Sequence, residues 1–185
     1  KNTGKINISG INAIGIKSLT GGQVTSSGEI NITGGADPST GLRNYGAWSE
    51  GAESLVDISG SVNLKGDAAI GVHARGGGTI GLSGKGQVNF SDGENQIGYY
   101  IYGIGSKISN TSTGTQDVTT NHSTLMRLDG EAAFTGSFDA TSTMSASGDN
   151  ANVIIAIGKG TTVDSGGMTV NVNGKESIGF LIEGG

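Results

Sequence analysis

"GSVNLKGDAAIGVHARGGGTIGLS", residues 60–83, decides the fold. Seven glycines break it into three short apolar patches, and the whole plan recurs along the chain. "GKINISGINAIGIKSLTGGQVTS" starts at Gly4, "GEINITGG" at Gly28, "GKGQVNFSDGENQIGYYIYGIGSKIS" at Gly84 and "GGMTVNVNGKESIGFLIEGG" at Gly166. Degenerate copies start at Gly114 and Thr141. Each copy runs glycine, apolar-Asn-apolar, glycine, polar turn, Ile/Tyr-Gly-apolar, glycine turn. A unit of about 24 residues with three short strands cannot bury its own apolar side, but stacked copies can. The repeat therefore predicts an all-β, right-handed parallel β-helix of about seven coils, the hand following from the crossover rule. The 185 residues are expected to form a single solenoid segment of a larger protein, with inserted loops near 35–43 and 109–116.

Composition agrees with this plan. Of the 185 residues 36 are glycine and one is proline, and aromatics make up only 5%. There is no triplet register for collagen and too little charge, 15%, for a solvated disordered tail. The net charge of −5 supplies no basic stripe, which argues against nucleic acid as a partner. No apolar run approaches the roughly 20 residues of a membrane-spanning helix, so this segment is not expected to insert in a membrane. The absence of cysteine removes disulfides, thiolate chemistry and cysteine-based metal sites.

Period-2 alternation assigns the columns. Ile6/Ile8, Ile30/Ile32, Val62/Leu64, Val88/Phe90 and Val170/Val172 are expected to line one wall of the core. Ile14/Ile16, Tyr45/Ala47, Ile70/Val72, Ile97/Tyr99, Thr124/Met126 and Ile178/Phe180 should line a second. The third strand, near Val24, Ile80, Ile108, Phe134 and Val163, reads as shifting register between coils. Asn7, Asn31, Asn63, Asn89 and Asn171 then fall outside, where stacked amides hydrogen-bond along the axis as in cross-β assemblies.

The repeated pattern "INI.G…AIGI…GG.V" resembles the passenger domains of Gram-negative autotransporters. That resemblance covers nearly the whole chain and implies a surface-exposed or secreted β-helix of type V secretion, on the extracellular side of the outer membrane. Passengers of this kind include adhesins and self-associating proteins, and some carry grafted hydrolase domains. The implied partners are a host glycan, a matrix protein or another copy of the chain.

Several segments mimic catalytic or ligand motifs. "TVDSGG", residues 162–167, resembles the glycine-flanked serine of trypsin-like proteases, but neither His73 nor His122 stands in a protease context. "GIGS" and "GKG" lack the helix that a phosphate loop needs. Asp67 and Glu94 share a turn position in successive coils, about 5 Å apart by the strand spacing, with Asn121 and Asp149 following. An acidic turn of solvated side chains accounts for them; a paired carboxylate site or weak calcium site is the sharper alternative. No catalytic residue, metal ligand or cofactor is assigned.

The second strand's outward positions carry a different signal. Lys17, Trp48, His73, Tyr100 and Arg127 form one column, and Leu19, Glu50, Arg75, Tyr102 and Asp129 the next. Beside the column Gly15, Gly46, Gly71, Gly98 and Gly179 they would make a flat platform along a side-chain-free gutter, with Trp48, His73, Tyr100, Tyr102, Arg75, Lys17 and Arg127 as ligand contacts. Protonation of His73 near 6.5 would make that platform pH-dependent. The alternative is that the loop "GGADPSTGLR" covers it as a satellite core. The expected function is adhesion or self-association without catalysis; a β-helix lyase or hydrolase and a ligand-free spacer are the rivals.

Overall fold

A computed structural model describes residues 1–113, 115–136, 143–164 and 166–184, and all of its regular structure is β. The strands are numbered along the chain. The first strand of each coil is β1 (Lys5–Ile8), β4 (Glu29–Ile32), β7 (Ser61–Leu64), β10 (Gln87–Phe90), β13 (Thr115–Val118), β16 (Thr143–Ala146) or β19 (Thr169–Val172). The second is β2 (Ile14–Leu19), β5 (Tyr45–Glu50), β8 (Ile70–Arg75), β11 (Ile97–Tyr102), β14 (Thr124–Asp129), β17 (Asn152–Ile157) or β20 (Ile178–Glu183). The third is β3 (Gln23–Ser26), β6 (Leu55–Ile58), β9 (Thr79–Leu82), β12 (Lys107–Asn110), β15 (Ala133–Gly136) or β18 (Thr162–Asp164). Every strand pairs in parallel with its equivalent one coil away. The product is a β-solenoid of about six turns at a spacing of about 27 residues, with the turns added to the 24-residue repeat plan.

The first wall reads as expected. Ile30, Ile32, Val62 and Leu64 are fully buried in one continuous core, and the amides form the predicted ladder. Asn31 Nδ2 donates to Asn7 Oδ1 (3.0 Å), Asn63 Nδ2 to Asn31 Oδ1 (2.8 Å) and Asn89 Nδ2 to Asn63 Oδ1 (2.8 Å). The wall is not continuous, however: β1-β4-β7-β10 is one sheet and β13-β16-β19 another. At this seam the inward position is Gln116 instead of an aliphatic residue, and the buried Tyr99 hydroxyl donates to Gln116 Oε1 inside the core. Asn110 and Ser112, also buried, bond to each other beside it. The 109–116 insertion includes residue 114, which lies outside the described residues.

The third wall departs from expectation. Val24, Val56, Ile80, Ile108, Phe134 and Val163 stack in one unbroken register, without the shift that the irregular sequence implied. Asp57 and Gly81 pair at an outward position, and the buried alternation of Val56/Ile58 and Ile80/Leu82 keeps the register.

The second wall also departs, with more consequence. The glycine column faces inward: a Cβ on Gly46 would lie 2.9 Å from Val62 Cγ1 and 2.6 Å from the carbonyl oxygen of Gly71 in the next coil. Where the repeat degenerates, Leu125 and Val153 occupy the same place and are buried in the core. Gly71 and Val72 therefore both point inward, and strict alternation fails there. Ile14, Tyr45, Ile70 and Ile97, expected inside, lie outside the central core cluster instead, although Ile70 remains buried at 2% exposure on this outer face.

The corners preceding the second wall are built by repetition. Asn12, Ala68, Asn95, His122, Asn150 and Glu176 all adopt φ between 51° and 57°, a left-handed turn two residues before the strand. Asp67 Oδ1 accepts the Glu94 amide (3.0 Å), Asn121 Oδ1 the Asp149 amide (3.0 Å), and Asp149 Oδ1 the Lys175 amide (3.0 Å). Asp67, Asn121 and Asp149 are thus turn caps, each satisfying a backbone N–H of the following coil, whereas the Glu94 side chain caps none and lies 3.7 Å from His122 Nδ1.

Candidate functional site

Outward rotation of the second wall creates a face with three columns. Tyr45, Ile70 and Ile97 form the first; Lys17, Trp48, His73, Tyr100 and Arg127 the second; Glu50, Arg75, Tyr102 and Asp129 the third. The expected side-chain-free gutter does not exist, because the glycines point into the core. Tyr45 and Ile70 take its place.

Parallel pairing brings the rings of the second column together. Trp48 and His73 meet edge-on at 4.5 Å between centroids, His73 stacks on Tyr100 at 4.9 Å, and Tyr45 closes on Trp48 at 4.6 Å. This packing removes Trp48 and His73 from the surface, to 9% and 4% exposure. They form a satellite core outside the wall, built from neighbouring rings and cations of the same face. The expected titration of His73 near 6.5 is corrected accordingly. Burial pushes its pKa down to about 4, against a smaller upward pull from its bond to the Tyr100 carbonyl. The carbonyl only accepts, so His73 Nδ1, at 2.9 Å, carries the proton.

Charged groups frame these rings. Glu50 receives Arg75 (2.6 Å), Lys17 (3.5 Å) and the Trp48 indole N–H (3.2 Å), and the Arg75 bond holds its carboxyl below the usual range. Lys17 Nζ and Arg75 Cζ both lie over Trp48, at 4.9 and 4.7 Å. Asp129 receives Arg127 Nε (2.9 Å) and the Tyr100 hydroxyl (3.1 Å). Burial, reinforced by Asp129, pushes the Tyr100 phenol up to about 12. Tyr102 joins this network only through a tilted ring contact with Tyr100, centroids 6.4 Å apart, and is 52% exposed.

The inserted loop supplies the far side. Asp37 folds it: Oδ1 accepts the amide (2.8 Å) and hydroxyl (2.7 Å) of Ser39, and Oδ2 the Thr40 hydroxyl (2.8 Å). These bonds hold the Asp37 carboxyl down at about 2. Gly41 N donates to Asp37 O and Asp37 N to Leu42 O, each at 2.8 Å, so the loop presents Leu42 and Arg43 to the wall. Asn44 anchors its exit, accepting the Ala13 amide and donating to the carbonyls of Gly10 and Gly35.

Between loop and wall lies a groove of about 350 Å³ lined by Gly41, Leu42, Arg43, Tyr45, Ile70, Ile97, Tyr100 and Arg127. Of the residues expected to contact a ligand, Tyr100 and Arg127 line this groove. Tyr102, Arg75 and Lys17 lie on the same wall outside it, and Trp48 and His73 are its packed support. Arg43, Tyr45, Ile70 and Ile97 were not anticipated. The available signal was the long second coil, whose insertion ends on an arginine two residues before the strand. Among the described residues no group of three or more His, Asp or Glu side chains is arranged to hold a metal ion. The "TVDSGG" serine, Ser165, lies outside the described residues.

The fold and this face define a parallel β-solenoid with an aromatic and cationic groove on one wall. No family model matches the chain, and neither a curated protein nor a solved structure is significantly similar to it.

Proposed function

We propose that this solenoid is a recognition module of the autotransporter-passenger kind, acting at a bacterial surface or in secreted form, by adhesion or self-association without catalysis. The observation that carries the reading is the groove beside Tyr100 and Arg127, formed by a loop that a bare spacer does not need. Its rings and cations are held by the wall and by one another, so little side-chain freedom is lost on binding. Shallow contacts of this sort gain strength from multiple copies on one surface. An enzymatic role draws less support, because Asp67 is engaged in capping the next coil and Glu50 and Asp129 are engaged with cations.

The test is binding of the purified protein to immobilised glycans, matrix proteins and itself, beside a Leu42→Ser variant. Leu42 lines the groove, is exposed and has a side chain that makes no hydrogen bond, so the variant should keep its melting temperature while weakening binding about tenfold, or ~1.4 kcal/mol. Undiminished binding by Leu42→Ser would move the recognition surface away from this groove. Binding to none of the three classes would leave the spacer reading in its place.

A further inference from the structure

We propose that the groove takes a single acidic sugar unit, its carboxylate on Arg43 and its apolar ring face against Ile97 and Tyr100. This rests on the recognition reading above and names the chemistry of the ligand.

The argument begins with an imbalance of charge. On this face Lys17 and Arg75 share Glu50, and Arg127 has Asp129. Arg43 has no carboxylate within ion-pairing distance among the described residues, and its Nη1 is buried without a hydrogen-bond partner. The nearest acid in its own loop, Asp37, is occupied by Ser39 and Thr40. A half-buried guanidinium left unpaired is costly, and doubly conspicuous in a chain of net charge −5. The groove's cations, Arg43 and Arg127, less the one acid Asp129, leave a single positive charge. A planar carboxylate satisfies that charge and matches the guanidinium fork.

Shape and backbone then narrow the ligand. About 350 Å³ lies at the small end of ligand clefts, room for one ring rather than an extended chain. Half-buried Ile97 and the Tyr100 ring, backed by the buried Ile70, give the floor an apolar surface of the kind a pyranose face covers. The floor is also the middle of a seven-stranded sheet, whose amides and carbonyls are consumed between coils. An acidic peptide seeking main-chain partners finds none there, whereas a sugar acid needs only side chains.

The experiment titrates the protein with trisaccharides ending in glucuronate or N-acetylneuraminate, and with carboxyl-reduced counterparts, by calorimetry and ligand-observed NMR. At least one acidic probe should bind tenfold or more tightly than its reduced form. Arg43→Gln should abolish that preference with an unchanged melting temperature, since Arg43 makes no ion pair that the fold relies on. Equal binding of acidic and reduced sugars, preference retained by Arg43→Gln, or a glutamate-rich peptide outcompeting the sugars would each overturn the assignment. In the first of these cases glycan recognition itself survives. If no glycan, matrix protein or second copy binds at all, both proposals fall.

Discussion

Replacing Gly71 by alanine tests the feature on which the groove depends. A Cβ there would sit 2.5 Å from the Gly98 carbonyl oxygen and 3.1 and 3.2 Å from the two methyls of Val88. Neither neighbour can step aside cheaply. The carbonyl belongs to the parallel backbone, and Val88 is 1% exposed in the opposite wall. Overpacking of this kind costs about 1–3 kcal/mol, and loosening one or two ladder bonds adds ~1 kcal/mol each, so ~2–4 kcal/mol is expected. Gly10→Ala is the control, because its Cβ meets nothing within 4 Å. It should be neutral within about 0.5 kcal/mol. Urea unfolding followed by Trp48 fluorescence and circular dichroism measures both. Should Gly71→Ala unfold at the same urea concentration as the unaltered protein, the glycine column does not face inward and the outward turn of Ile70 has been misassigned.

Three further outcomes are expected. Val62→Asp places a lone carboxylate in a fully buried position and should prevent folding, whereas Asn63→Ala removes two part-exposed amide bonds and should cost ~1–2 kcal/mol in a denaturant titration. Trp48→Ala should lower stability by ~3–5 kcal/mol, read as an early melt by circular dichroism, because the indole supports the groove from beneath. His73 is held neutral with its pKa lowered from 6.5 to about 4, so the unfolded chain binds the extra proton between those values. Its contribution is complete above pH 6.5 and lost as pH falls toward 4, by at most ~1.4 kcal/mol per pH unit, and pH-resolved melts of His73→Leu should lack this slope.

Up to the seam, where Gln116 breaks the pattern, the first wall was legible because its strands from β1 to β10 alternate, and alternation reports burial directly. The amide ladder followed from it. The second wall was misread at one residue per coil, since Ile-Gly-Val looks like continuous alternation. Only a Cβ-free residue can approach the next coil's carbonyl so closely, and that approach rotates Ile70 and Ile97 outward. A repeat comparison contained a hint: Leu125 and Val153 stand where glycine otherwise recurs, as core positions do. The burial of His73 was not legible because it depends on how the rings of neighbouring coils close on one another, and the placement of Arg43 was not because it depends on the path of the 35–43 loop, which Asp37 sets through contacts with no counterpart in other coils.

The seam in the first wall bears on how the rod carries force. Inter-coil hydrogen bonds run along the long axis, so tension on a tethered rod loads the three ladders side by side. Among the described residues no ladder joins β10 to β13, and that wall is bridged by side chains, Thr119 Oγ1 to the Phe90 carbonyl and Tyr99 to Gln116 within. Two walls bear there what three bear elsewhere. Stretching should open the fourth coil from the fifth on that side first, bending the rod toward its intact walls. The groove residues from Tyr45 to Arg127 hang on the second wall, whose seven strands cross the seam unbroken, so the face stays assembled as the opposite side yields.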